Sequence, residues 1–304
     1  MEKLIDKNLI DKISKRATKK LRINEVNFNT DLELKTIEYL KKQQYLEYKK
    51  VEIVLKNNFI PSYPLGYVLI NHYDKIVGFM GTIFSIRNIK NKEYTYCNIH
   101  TWVVDRDYRL NSFLLLTDLI KKDITLTAFT PVKTLIGLLE KFGFKKIKMK
   151  YRIIFLLNFL KLLKKNQYEI EKKSLVIEKI LNENDLNYYK NYLHIPCEKF
   201  VIMDKNDRTK YIFIIARKVK KKIFQVLNIF YVSDSLNLKN NWDSISLEIS
   251  KVFKVSFCVQ NFFNESDCSI PNKILFIKNL KKDVCIKNLP KNSKLDILYS
   301  DLIE

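Results

Sequence analysis

Arginine is scarce in this chain: only eight of its 55 basic residues are Arg, and the rest are Lys. Surfaces that read bases or clamp phosphates favour the planar, bidentate guanidinium. The shortage therefore weighs against nucleic acid as a partner, despite a formal net charge of +22 over 304 residues. An anionic membrane surface or a phosphorylated substrate is compatible with that charge, as is general Lys enrichment of a solvated surface. Cysteine and histidine are sparse as well. Cys97, Cys197, Cys258, Cys268 and Cys285 are odd in number and form no CxxC pair, and His72, His100 and His194 are scattered. Neither a disulfide framework nor a structural zinc site is expected from that spacing. No apolar stretch approaches the roughly 18 residues of a spanning helix. The opening MEKLIDKNLIDKISKRATKK is charged throughout and lacks the apolar core of a signal peptide. These absences predict a protein of the reducing cytoplasm without a metal.

What is present is a regular succession of short elements. Residues 1–20 read as a basic helical lead-in, and 21–28 as a first strand. Asn29-Thr30-Asp31 offers N-cap chemistry for a helix through Leu32, Ile37, Tyr39 and Leu40, with more helix predicted over 45–55. The breaker PSYPLG closes this region. Strands at 67–70 and 76–86 pair as a hairpin around His72-Tyr73-Asp74-Lys75, and a longer strand follows at 94–104. After a charged turn, Phe113, Leu116, Leu119 and Ile120 are spaced as on a helix. A strand at 124–129, a helix ending at Gly143-Phe144 and a strand over 145–155 complete the first half. The basic run that follows, LLNFLKLLKK, reads as a connector, with contact to a membrane surface as the alternative.

The chain then starts again. LVIEKI at 175–180 is predicted as a strand and 185–193 as a helix. FVIMD, YIFIIARKV and KIFQVLNIFYVSD give three strands, 242–252 a helix, and VSFCVQNFF, ILFIKNL and DILYSDL further strands. The expected fold class is α/β (α+β): two domains in tandem at 21–156 and 173–304, joined by a connector at 157–172. Each has a mixed, mostly antiparallel sheet flanked by helices.

The stretch from Gly66 to Phe144 carries YVLINHYDKIVGFMG, then TYCNIHTWVVDRDYRLNSFLLLTDLI, then ITLTAFTPVKTLIGLLEKFGF. This order resembles the core of the GNAT acyltransferases, which move an acyl group from coenzyme A to an amine. In that family a Gln/Arg-x-x-Gly-x-Gly/Ala turn, between the fourth strand and the next helix, turns backbone N–H groups onto the coenzyme pyrophosphate. The corresponding segment here runs from Val103 and Val104 through Asp105 to Arg109, Leu110, Asn111, Ser112, Phe113 and Leu114. Arg109 matches the first motif position, Ser112 takes the first glycine, and Leu114 stands at the last small position. Ile76-Val77-Gly78 followed by Gly81 matches the third strand, where glycine permits close approach. The resemblance further implies a V-shaped gap beyond Trp102-Val103-Val104 that admits the pantetheine arm of acetyl-CoA, with Thr127 to Thr130 along its far side. The second half has Ser-Leu-Asn-Leu-Lys after Asp234 and no basic glycine turn, so no pyrophosphate site is expected there.

Catalysis in the family is attack of a neutral amine on a thioester, which needs positioning and proton transfer. The tyrosine that often protonates the thiolate, four residues before the closing glycine, is Leu139 here. His100 is the candidate base, since it titrates in the right range and shares a strand face with Asn98 and Trp102. Asp105, at the strand end, is the candidate for orienting the amine. Tyr73 and Tyr96 are possible acids, and Cys97 has no cationic neighbour placed to activate it. Three functions stay open on the residues. One is N-acyl transfer from acetyl-CoA to a small amine, with an amino sugar of surface-polysaccharide synthesis suggested by resemblance. The second is a non-catalytic GNAT-shaped binding module. The third is a Fem-like transferase using aminoacyl-tRNA.

Overall fold

The computed structural model describes residues 21–44, 46, 52, 55, 60, 62–89, 92–156, 167–271 and 280–291. The N-terminal lead-in, most of the helix predicted over 45–55 and the basic run after 156 lie outside the described residues. So do the strand predicted at 296–302 and all but Leu280 of that at 274–280. Two compact units emerge: the described residues up to Ile147 together with those from Asp283 onward, and Lys148–Lys282.

In the first unit, β1 (Leu21–Val26), β2 (Gly66–Asn71), β3 (Ile76–Ile89) and β4 (Lys92–Val104) pair antiparallel in order. β5 (Thr125–Ala128) then joins β4 in parallel. The helix Asp31–Lys41 begins where the sequence predicts. Thr30 Oγ1 accepts from Glu33 N–H (3.2 Å) and Glu33 Oε2 accepts from Asn29 N–H (2.7 Å), a reciprocal cap. The β2–β3 turn is held by Asn71, whose side-chain oxygen accepts from the N–H groups of Tyr73 (3.0 Å) and Lys75 (3.1 Å). β2 is buried on both faces and its residues divide by parity. Tyr67 and Leu69 join a core with Phe84, Cys97 and Leu114–Leu116, while Val68 and Ile70 join Tyr39, Leu40, Phe79 and Val103.

The segment after the charged turn is not an α-helix. It winds as a 3-10 helix over Arg106–Leu116 and again over Leu119–Lys121. Its bonds run three residues back, from Tyr108 N–H to Asp105 O (2.9 Å) and from Thr117 N–H to Leu114 O (3.1 Å). With three residues per turn, Phe113, Leu116 and Leu119 fall on one row, so this spacing suits the tighter helix as well as the α-helix. The helix Lys133–Lys141 stops as predicted. Gly143 takes φ 84°, its N–H reaches Glu140 O (3.0 Å), and Phe144 N–H reaches Leu139 O (3.1 Å).

In the second unit, β6 (Lys145–Phe155) pairs antiparallel with β11 (Phe257–Phe262), which lies parallel to β10 (Phe224–Val232). Beyond β10 come β9 (Tyr211–Lys221), β8 (Glu198–Asp204) and β7 (Tyr168–Glu171), all antiparallel. Two readings of the sequence change here. The segment at 175–180 is a helix, Ser174–Ile180, buried chiefly through Ile177, and the strand lies earlier, at β7, inside the predicted connector. A last strand, β12 (Leu280–Lys287), pairs with β5 of the first unit, with Cys285 opposite Ala128 and Ile286 opposite Thr127. The strands of the two units thus repeat one pattern: three antiparallel pairings, a parallel one, then an antiparallel strand from the other half of the sequence. β6 and β12 fill the corresponding places.

Candidate functional site

Ahead of the charged turn, the strands β4 and β5 of the first unit part. β4 and β5 are paired only at Tyr96–Thr125, Cys97–Leu126 and Asn98–Thr127, whereas β4 runs on to Val104 alongside β3. At the crotch, Thr127 Oγ1 donates to Asn98 Oδ1 (3.1 Å), both residues being buried. Beyond that bond β4 carries an irregularity. Phe79 pairs with Val103 but Gly81 with His100, so β4 holds one residue more than β3. Thr101 takes φ 44° there, an uncommon conformation for a β-branched residue and one that concentrates at functional sites.

A cavity of about 630 Å3 lies at this end of the sheet. Trp102, Val104, Arg109 and Ser112 line one part of it, and Val132, Thr134, Leu135 and Leu138 another. The turn that carries Arg109 is fixed from several sides. Asp105 N–H donates to Val77 O (2.9 Å), Tyr39 OH donates to Asp105 Oδ1 (2.9 Å), and Asn71 Nδ2 donates to Tyr108 OH (3.2 Å). Arg109 itself is exposed. The helix Lys133–Lys141 begins beside the cavity with no side-chain cap, an arrangement that favours negative charge at its N-terminus. Trp102 presents an indole N–H that is sealed from solvent and has no hydrogen-bond partner among the described residues.

Of the residues singled out from the sequence, Val104, Arg109 and Ser112 come together on the cavity. Val103 points into the opposite core with Phe79, Leu110 is 91% exposed, and Phe113 stacks on Phe142 with ring centroids 6.5 Å apart. Asn111 and Thr130 are not among the lining residues, and Thr127 is taken up at the fork. Val132, Thr134, Leu135 and Leu138 were not singled out; the helical periodicity before Gly143 was the available signal, but nothing in it marks a face as a cavity wall.

His100 lies across Gly81, where an added Cβ would stand 2.3 Å from the ring. Its Nδ1 pairs with Thr101 Oγ1 (2.9 Å), Nε2 is buried with no hydrogen-bond partner among the described residues, and His100 is not among the cavity's lining residues. Burial holds its pKa down to about 4, against an opposing pull from the Thr82 backbone, so the ring is neutral near pH 7. Burial drives the Cys97 thiol well above its ordinary range, which removes it as a nucleophile at neutral pH. Leu139 is fully buried in the core, so no acid stands at that position, and Tyr73 is 70% exposed. Among the described residues no group of three or more His, Cys, Asp or Glu is set to hold a metal, and no helix is long and apolar enough to cross a membrane.

No protein-family model matches the chain, and no curated protein matches it in sequence. Solved structures do match in fold. A GCN5-related N-acetyltransferase from Anabaena variabilis superposes with a TM-score of 0.59 at 11% identity, over 88% of this chain and 72% of the other. One from Kribbella flavida gives 0.55 at 10%, over 88% and 70%. A GCN5-related glucosamine N-acetyltransferase region of a fungal multi-domain β-N-acetylglucosaminidase gives 0.54 at 13%, over 88% of this chain and 38% of that one. The chain therefore has the fold of the GCN5-related N-acetyltransferases.

Proposed function

We propose that the first unit transfers an acyl group, acetyl in the simplest case, from a coenzyme A thioester to an amine. The observation that carries this reading is the fork: β4 and β5 part beyond Asn98 and Thr127, and the cavity beside them is lined by Arg109 and Ser112. Arg109 and Ser112 suit phosphate oxygens, one by charge and the other by a hydroxyl donor. Val104, Leu135 and Leu138 supply apolar wall for an extended arm, and the residues of β4 past Asn98 have backbone groups that β5 does not occupy. The coenzyme supplies the activated thioester carbonyl.

His100, neutral near pH 7, is read as the acceptor that orients the attacking amine, not as a strong base. Asp105 is read as holding the turn through Tyr39 while contributing negative charge near the amine. Leu139 leaves the departing thiolate without an acid there. Thiols ionise near pH 8.5, so a thiolate can leave unaided at modest cost. An amino sugar is the first acceptor to try, on the fold likeness to the glucosamine N-acetyltransferase region.

The test is thiol release from acetyl-CoA on adding glucosamine or other small amines. Release should require both substrates, and His100→Ala should slow it about 100-fold with little change in acetyl-CoA affinity. Unchanged release in His100→Ala would remove that residue's role. Binding of acetyl-CoA without release for any amine would favour the second reading, a non-catalytic module, to which Leu139 already points.

A further inference from the structure

The second unit carries a polar cavity of its own, about 400 Å3 in volume. It is walled by the start of the helix Glu183–Asn191, the β8–β9 turn, the end of β10 and the start of the helix Ser235–Asn240. No aliphatic side chain lines it. At its base stands Asp185, 3% exposed. Asp185 Oδ1 accepts from Tyr231 OH (2.7 Å), and Oδ2 accepts from Tyr211 OH (3.0 Å) and Asn182 Nδ2 (3.3 Å). All three donors are neutral, and no ion pair reaches this carboxylate among the described residues. A carboxylate buried among neutral donors alone keeps an electrostatic demand for a cation.

The lining says which cation. Lys210 is its one basic residue and already pairs with Asp207 (3.1 Å), whereas Asp185 and Asp234 are both present. Two carboxylates against one ammonium leave a formally negative pocket in a chain of net charge +22. A phosphate or other anion is disfavoured there. The absence of a three-residue metal cluster among the described residues argues against a bare metal ion. The remaining lining side chains are amides and hydroxyls, which as a set both donate and accept, as sugar hydroxyls do.

We propose that this cavity binds a small ring bearing several hydroxyls and one protonated amine, an amino sugar in chemical class, with Asp185 as its counter-charge. The proposal stands apart from the acyl-transfer reading, and its test uses no coenzyme A. The full-length chain would be titrated with glucosamine, galactosamine and mannosamine beside glucose, by calorimetry and ligand-observed NMR. At least one amino sugar should bind about tenfold or more tighter than glucose. Asp185→Asn, which keeps an oxygen for the tyrosines, should erase that advantage, and Asn184→Trp should block binding by filling the cavity. Should Asp185→Asn fail to fold, Asn184→Trp on the exposed helix start carries the test. The proposal is overturned if no amino sugar outbinds glucose, if folded Asp185→Asn keeps the advantage, or if Asn184→Trp leaves binding unchanged. Binding lost in His100→Ala but not in Asn184→Trp would place the ligand in the first unit and overturn it equally.

Discussion

Acidification should weaken the first unit through His100. The folded ring holds its pKa near 4 against an ordinary 6.5, because burial penalises the imidazolium. The unfolded chain therefore takes up a proton through pH 6.5 that the folded unit refuses until about pH 4. Stability from this residue is full above pH 6.5, falls as pH drops from 6.5 to 4, and levels off below. A gap of roughly 2.5 pKa units corresponds to about 3 kcal/mol, most of it lost by pH 4.5. The chain has two tryptophans, Trp102 in β4 and Trp242 in the helix Trp242–Phe253. Labelling with 5-fluorotryptophan thus gives one 19F reporter per unit. Urea titrations from pH 7.5 to 4.5 should lower the Trp102 midpoint by about 1 M, taking a typical urea slope of 1–3 kcal/mol per molar. Carboxylates also lose stability on acidification, so His100→Asn serves as the control: its Trp102 midpoint should depend less on pH than that of the unaltered chain. Parallel pH curves for the two proteins would refute the placement of a buried, uncharged ring at His100.

Two further outcomes follow from packing. Gly81→Ala puts a Cβ 2.3 Å from the His100 ring and should cost about 1–3 kcal/mol on the Trp102 reporter. The cost should vanish in a His100→Ala background, and a persisting cost would mean that the strands, not the ring, are what clash. Ile286→Asp places a carboxylate at a 3% exposed position of β12 opposite Thr127, and should destabilise the Trp102 unit by at least about 3 kcal/mol while the Trp242 midpoint stays within about 0.5 kcal/mol. An equal shift of both reporters would contradict the assignment of Ile286 to the first unit.

Much of this fold was legible because its signals are local. The Thr30–Glu33 cap, the Asn71 turn, the parity of β2 and the Gly143 stop each depend on residues a few places apart. What escaped the reading depends on distant partners. β12, whose residues KKDVCIK open with three consecutive charges and show no alternation, gains its strand character by adding to β5, and nothing near it in sequence announces that pairing. The helix Ser174–Ile180 looked like a strand because six residues with four apolar side chains fit either period. Three-residue spacing hid the 3-10 winding after Asp105 for the same reason. At the candidate site, Arg109 and Ser112 were found through a motif, while Val132 and Leu138 reach the cavity only through the tertiary placement of their helix. The irregularity at Thr101 has no residue signature, since a β-branched side chain argues against φ 44°.

The central claim is that the forked sheet and the turn at Arg109 hold a coenzyme A thioester. Calorimetric titration with acetyl-CoA, beside dephospho-CoA and ADP, tests it most directly. Micromolar binding of acetyl-CoA by the unaltered chain is expected. Arg109→Glu, which sets a carboxylate against the phosphates, should lose at least tenfold in affinity. Absence of binding, or equal affinity in Arg109→Glu, would contradict it.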